Sequence, residues 1–231
     1  LKLPGAKKNK NGYATDIDIL KKSPLFMGIE KEEIEKIMPV LESKMKVYQK
    51  NEMILGEEEP VENLGVILEG CVQIICEDVF GNRSILEQLS QGELFGAAFS
   101  CAGIKKSPVS VVTVTDCTVL QVPVKRLFEL SAESSLLQQK FFINMVQIFA
   151  RKNVMLGEKI RHISKRTTRD KLLSYLSEQS KRAGSRHFTI PFNRQELADY
   201  LCVERSAMST ELGKLKKEGI LDMCRSEFWL K

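Results

Sequence analysis

Between Lys44 and Val122 apolar residues come in short runs, MKVY, MIL, LGVIL, VQIIC, SILEQL, VSVVTV and TVLQV, separated by turn residues that include Gly56, Gly65, Gly70, Gly81, Gly92, Gly96 and Gly103. Seven or more short strands with no helical crossover between them exclude a parallel sheet, which needs a helix-length connection for every strand. The remaining solution is an antiparallel sheet folded on itself. The expected class is α+β: an N-terminal antiparallel β-roll (double-stranded β-helix or jelly roll), then a long helix, then a small C-terminal module.

Residues 1–15 are polar, rich in Lys, Gly and Asn, and lack periodicity, which predicts a flexible tail before a roll domain spanning 16–130. A helix over Glu30 to Leu41 is predicted from Ile34, Ile37, Met38 and Leu41 on one face. Pro123 ends the strands, and Lys125 to Leu130 reads as a helical turn. From about Ser134 to His162 there is no Gly or Pro until Gly157, so one helix about 42 Å long is expected, in a segment bounded at 131–163.

Along that helix Phe142, Val146, Phe149, Asn153, Leu156, Ile160 and Ile163 recur at alternating spacings of four and three. This is a heptad seam, and a polar Asn153 among apolar a positions is the residue that fixes parallel two-stranded register. A homodimer interface is the expectation. A second stripe, Phe141, Met145, Ile148 and Met155, lies beside the seam and is expected to pack on the roll.

Residues 165–231 carry 14 Lys and Arg against 9 Asp and Glu, whereas 1–164 are balanced at 21 against 21. The basic surplus therefore belongs to the C-terminal module, 164–231, the place to look for a polyanion. Ile163 to Arg166 reads as a hinge, and Thr167 or Thr168 caps a helix from Arg169 to about Arg182. After the strand HFTIPF, Asn193 caps a helix with Leu197, Ala198 and Leu201 inward. Cys202-Val203 turns, and a second helix runs from Arg205 to Lys217 with Met208, Leu212 and Leu215 buried. Two short helices around a tight turn make a helix-turn-helix, and Ile220 to Leu230 has the strand character of a wing. The outward face then holds Arg205, Ser206, Ser209, Thr210 and Lys214. Arg pairs bidentately with guanine and hydroxyls reach base edges; Lys214, Arg194, Arg169 and Arg225 suit phosphates.

Other classes find little support. No apolar run approaches the roughly 18 to 20 residues of a membrane span, and no signal-peptide pattern follows the basic start, so cytoplasm is the expected location. Cys71, Cys76, Cys101, Cys117, Cys202 and Cys224 form no CxxC pair or zinc-spaced cluster, so no metal or other cofactor is expected and most should be small core residues. No catalytic triad, P-loop or dinucleotide glycine pattern is present, and an enzyme is not expected.

RQELADYLCVERSAMSTEL, together with LGVILEGCVQI and the QGELFG turn, resembles the Crp/Fnr family of bacterial transcription regulators over about residues 20 to 231. The resemblance implies a homodimer that binds a palindromic double-stranded DNA operator, RNA polymerase as a further partner, and an effector in the roll. Members that bind cyclic AMP carry a Glu after the last glycine of that turn and an Arg-Ser pair about ten residues on. Here Ala97 and Ser107-Pro108 stand there, so a cyclic phosphate would lack its bidentate partner and cyclic AMP is not the expected effector. No N-terminal cysteine cluster is present for an iron-sulfur centre, and His162 and His187 lie outside the roll. An organic effector would sit near Phe95, Gly96, Ala97, Ser107 and Met155. A thiol event at Cys71, Cys76 or Cys101, or no effector at all, remain open alternatives.

Overall fold

The computed structural model describes residues 17–129 and 135–231; the expected tail lies outside them, as does the boundary at 130. The chain divides into two compact units, one made of residues up to Ile75 with Glu87–Arg151, the other of Cys76–Leu86 with Lys152–Lys231. The expected α+β class holds: an antiparallel strand domain, a long helix, and a helix-turn-helix with a wing.

The chain enters through α1 (Ile17–Lys22), a 3-10 turn at Pro24–Phe26 and α2 (Lys31–Val40), whose start is closed by reciprocal bonds between Glu30 and Glu33. Eight strands follow: β1 (Lys44–Tyr48), β2 (Met53–Leu55), β3 (Asn63–Glu69), β4 (Val72–Glu77), β5 (Arg83–Leu89), β6 (Leu94–Phe95), β7 (Ser110–Thr113) and β8 (Cys117–Pro123). They form two four-stranded sheets, β1-β8-β3-β6 and β2-β7-β4-β5, with α3 (Ala97–Cys101) inserted between β6 and β7 and α4 (Val124–Phe128) following β8.

Period-two geometry explains why β3 reads as an unbroken apolar run. Leu64, Val66 and Leu68 face the helices, joining Leu20, Phe26, Ile34, Leu120 and Val122 in one cluster. Ile67 faces the roll interior with Tyr48, Val72, Leu89, Phe95, Val111, Cys117 and Val119. Gly65 belongs to that inner set and opposes Phe95 across the ladder. A Cβ on Gly65 would lie 2.2 Å from the Phe95 ring, so the absent side chain is what lets the ring lie on the strand.

The long helix is α5 (Ser135–Ile163). Phe141, Met145 and Ile148 are buried in the cluster that holds α1 and α2, as the second stripe predicts. Met155, expected on that stripe, is exposed: the run breaks at Lys152, and beyond it the buried positions are Lys159 and His162. Buried Asn144 donates its side-chain amide to the carbonyls of Leu25 and Met27, both at 2.9 Å.

In the second unit α6 (Thr168–Ala183) is capped by Thr167, whose hydroxyl accepts from the Asp170 amide, and it ends on Gly184 at φ 60°. A residue with a Cβ is strained in that left-handed conformation, so glycine is the natural stop. Then come β9 (His187–Thr189), α7 (Arg194–Leu201), α8 (Arg205–Lys217), β10 (Leu221–Cys224) and β11 (Glu227–Leu230), with sheet order β10-β11-β9.

Asn144→Ala strands the buried Leu25 carbonyl, which costs about 1 to 3 kcal/mol when left unsatisfied, and removes the donor to the part-buried Met27 carbonyl, a smaller loss. Urea unfolding should show a loss of roughly 2 to 4 kcal/mol; an unchanged midpoint would mean that water replaces the amide without cost.

Candidate nucleic-acid interface

Asn193 caps α7 reciprocally with Glu196, and Cys202 turns the chain at φ 51°. Leu197, Ala198 and Leu201 of α7 are buried, as are Met208, Leu212 and Leu215 of α8. Those spacings of four and three leave a complete polar face outward. On it Arg205, Ser206, Ser209, Thr210, Lys214 and Lys217 are all exposed.

Glu204, which the sequence reading passed over, caps this recognition helix. Its carboxylate accepts from the amides of Ser206 at 2.9 Å and Ala207 at 2.7 Å and from the Ser206 hydroxyl. The Ser206 bonds and the Ala207 amide hold its carboxyl below the usual carboxylate range. The acid directly before the helix was the available signal, since an acceptor there meets orphan helix donors. Ser206 thus has its hydroxyl engaged by the cap, while Ser209 and Thr210 stand further along the exposed face.

The basic residues proposed for phosphates divide. Lys214 is exposed beside Glu211 at 3.2 Å. Arg225 sits at the wing turn, exposed, with φ 51°. Arg194 is half-buried, with its guanidinium over the Phe228 ring at 5.1 Å and an Nη2 to Met223 Sδ distance of 2.9 Å. Arg169 departs from expectation: it forks onto Glu218, at 3.0 Å through Nη1 and 2.5 Å through Nη2, and reaches Glu211 at 3.2 Å. Those carboxylates raise its pKa. A guanidinium paired with two acids of the reading unit ties α6 to α8.

The hinge region carries its own polar frame. Arg161 meets Glu178 at 3.0 Å, and Arg182 meets Glu158 as well as Glu178 at 3.8 Å. His162 is buried, bonded through Nδ1 to Ser174 Oγ at 2.8 Å and set edge-on to Tyr175. Burial pushes its pKa down. Lys165 and Arg166 are exposed between the two helices.

The residues proposed for an effector lie as follows. Phe95 and Ala97 are buried, Gly96 is at φ 81°, and Met155 is exposed on α5. Buried Ser107 donates to the Val109 carbonyl at 2.6 Å and accepts from the Val109 amide at 3.3 Å, so its hydroxyl is spent on its own turn. Lys106 pairs with Glu58 at 3.1 Å. The expectation of mostly core cysteines is corrected: Cys117 alone is buried, Cys71 and Cys76 are half-buried, and Cys101, Cys202 and Cys224 are exposed. Among the described residues no group of His, Cys, Asp and Glu forms a candidate metal site and no helix is long and apolar enough to cross a membrane.

The cyclic nucleotide-binding domain family matches residues 45–134 and the Crp-like helix-turn-helix domain family matches residues 170–230. This chain belongs to the Crp/Fnr family. Electron transport regulator A of Shewanella oneidensis is 24% identical over 198 residues, 83% of this chain and 76% of that protein. Among solved structures, the c-di-GMP-responsive regulator CLP of Xanthomonas campestris has the same fold with a TM-score of 0.72 at 19% identity, covering 87% of this chain and 99% of that one. FixK2 of Bradyrhizobium japonicum gives 0.64 at 20%, covering 82% and 92%. The chain is a Crp/Fnr-type transcriptional regulator, with a DNA-binding helix-turn-helix and a cyclic-nucleotide-binding-type roll.

Two arginines should therefore behave differently. Arg205→Ala should weaken binding to a selected DNA site by about 1 to 3 kcal/mol and relax the preference at one base pair per half-site. Arg169→Ala should lower the melting temperature and leave the dependence of DNA affinity on salt unchanged. Anisotropy titrations across salt check both; a shallower salt slope for Arg169→Ala would return that residue to the phosphate contacts.

Proposed function

We propose that this chain acts as a homodimer that binds a palindromic DNA operator through paired recognition helices and so controls transcription, with RNA polymerase as its further partner. The observation that carries the dimer is an apolar face on α5 that its own protomer leaves uncovered. Phe142 is 59% exposed, Val146 52%, Leu156 50% and Ile160 58%. Asn153 is exposed on the same seam, and Phe149 and Ile163 are half-buried. A row of large apolar residues at heptad spacing is stable in water only when another helix covers it. A parallel two-fold pair would set two α8 helices at half-sites about 34 Å apart, one turn of duplex. In functional terms the chain then divides into a roll at 16–130, the dimer helix at 131–163 and the reader at 164–231.

The reader's proposed contacts are Arg205, Ser209 and Thr210 to base edges, with Ser206 after release from Glu204, and Lys214 and Arg225 to phosphates. Arg194 contributes by shaping the wing surface through Phe228.

For the roll, we infer an effector other than cyclic AMP. Ala97 offers no carboxylate to a ribose, the Ser107 hydroxyl is engaged by Val109, and Lys106 lacks the fork that a cyclic phosphate uses. An effector-free regulator is the second reading, favoured by Phe95, which packs over Gly65 among the inner side chains.

Phe142→Glu with Leu156→Glu should sediment as a monomer, keep its far-ultraviolet circular dichroism, and lose palindrome-specific binding, because each half-site alone forgoes the avidity of two. These positions are chosen over Phe149, which packs against the roll core. A variant that stays dimeric overturns the seam.

Isothermal titration with cyclic AMP, cyclic GMP and cyclic di-GMP separately should show no binding by cyclic AMP. Tight cyclic AMP binding would mean that Lys105 or Lys106 replaces the missing arginine. Binding by cyclic di-GMP alone would identify a signal shared with the Xanthomonas relative.

A further inference from the structure

Lys159 is only 5% exposed, although a lysine at this heptad position normally reaches into solvent along the edge of the seam. Its ammonium donates to the carbonyls of Ile85 and of Leu86, the latter at 3.3 Å. It also lies over the Tyr200 ring, 4.5 Å from the centroid. One side chain of α5 thereby holds β5 of the roll sheet and α7 of the helix-turn-helix.

Each contact has a physical reason to be specific. β5 ends the sheet order β2-β7-β4-β5, so one side of its backbone is an edge with carbonyls to satisfy. Lysine offers three donors on a flexible stem, enough to serve neighbouring carbonyls and still face a ring. Tyr200 is itself positioned by Tyr175 at 5.4 Å and Phe192 at 4.9 Å. Beside this point Ser84 Oγ of β5 lies 3.8 Å from Cys202 Sγ, in the turn that precedes the recognition helix. The hairpin therefore touches the back and turn of the reading head, while Arg205, Ser209, Thr210 and Lys214 stay exposed. The clamped arrangement leaves the reading face open.

We propose that Lys159 is a positioning residue for DNA recognition: it clamps the helix-turn-helix to the β4–β5 hairpin, and the clamped state is the one that reads a palindrome. The proposal rests on the dimer reading above, because fixing each head matters most when two must meet half-sites one turn apart. A head that swings on the hinge expected at 163–166 pays an orientational cost on binding the second half-site, which a clamped head has already met. Any signal that shifts β5 within its sheet would then reach the head through two carbonyls and one ammonium.

The test uses the full chain and a palindromic duplex selected by the wild-type protein from random sequence, beside the same duplex with one half-site scrambled. Lys159→Met should weaken the palindrome roughly 10- to 100-fold, since effective concentration is what it degrades. Its affinity for the scrambled duplex should stay within about twofold of wild type, because the single head is intact. Sedimentation should still report a dimer, and amide exchange should quicken at 83–87 and in α7. Lys159→Arg should largely rescue, since a guanidinium donates to the same carbonyls and stacks on the same ring. Should Lys159→Met fold poorly, Tyr200→Leu should give the same selective loss, and the double variant should be no weaker than either single, as expected of one coupled contact. Equal losses on both duplexes would overturn the proposal by showing local damage to the head. Full palindrome affinity in Lys159→Met would overturn it outright while leaving the dimer standing. A wild-type chain that is monomeric, or that binds both duplexes alike, overturns the dimer reading and the clamp with it.

Discussion

The roll of α5 about its own axis is the constraint on which the remaining surfaces depend, and one buried amide sets it. Asn144 can donate to the carbonyls of Leu25 and Met27 together in only one helix orientation. Apolar contacts from Phe141, Met145 and Ile148 supply the attraction, but such contacts are non-directional and tolerate a helix that slips. Two hydrogen bonds of fixed geometry do not, because a buried carbonyl left without a donor is costly. Once this roll is fixed, Phe142, Val146, Leu156 and Ile160 must point away from their own protomer.

At the far end of α5 the chemistry changes from apolar to ionic. Glu158, Arg161, Glu178 and Arg182 link α5 to α6 across the hinge, and His162 bonds Ser174 from the buried side. These pairs are partly exposed, so each contributes modestly and weakens with salt. A hinge framed by several weak, screened pairs can change its angle at small cost, whereas an apolar interface of equal area would resist. The fastening at Lys159 differs from them in being buried, so salt screens it least.

Much of this was legible in sequence because the signals were periodic. Alternating runs with glycine punctuation predicted the antiparallel strands, a gap free of Gly and Pro predicted α5, Asn193 marked the start of α7, and of Thr167 and Thr168 the structure takes Thr167 to cap α6. Where reasoning failed, the decisive partner was distant in sequence. Nothing local says that Arg169 meets Glu218, 49 residues away, or that Lys159 meets Ile85, 74 residues away. The stripe through Met155 failed for the same reason: periodicity continues past Lys152, but the surface that would cover it does not. Glu204 is the exception: its signal is local, an acceptor directly before the first residue of α8.

Those distant pairings also revise what the basic surplus of the C-terminal module means. Arg169, Arg182 and Lys216 all have carboxylate partners within the unit, so part of the formal positive charge is balanced by the head's own acids. Affinity for phosphate rises with the number of cations that displace counterions, about 0.9 in the logarithmic salt slope for each phosphate neutralised. With Arg169 paired internally, Arg205, Lys217 and Arg225 stand among the exposed cations of the head. A smaller count of phosphate-seeking cations favours discrimination, because specificity is the difference between cognate and random affinity. In the dimer proposed above two heads act together, so the geometry between them would bear on how tightly an operator is held.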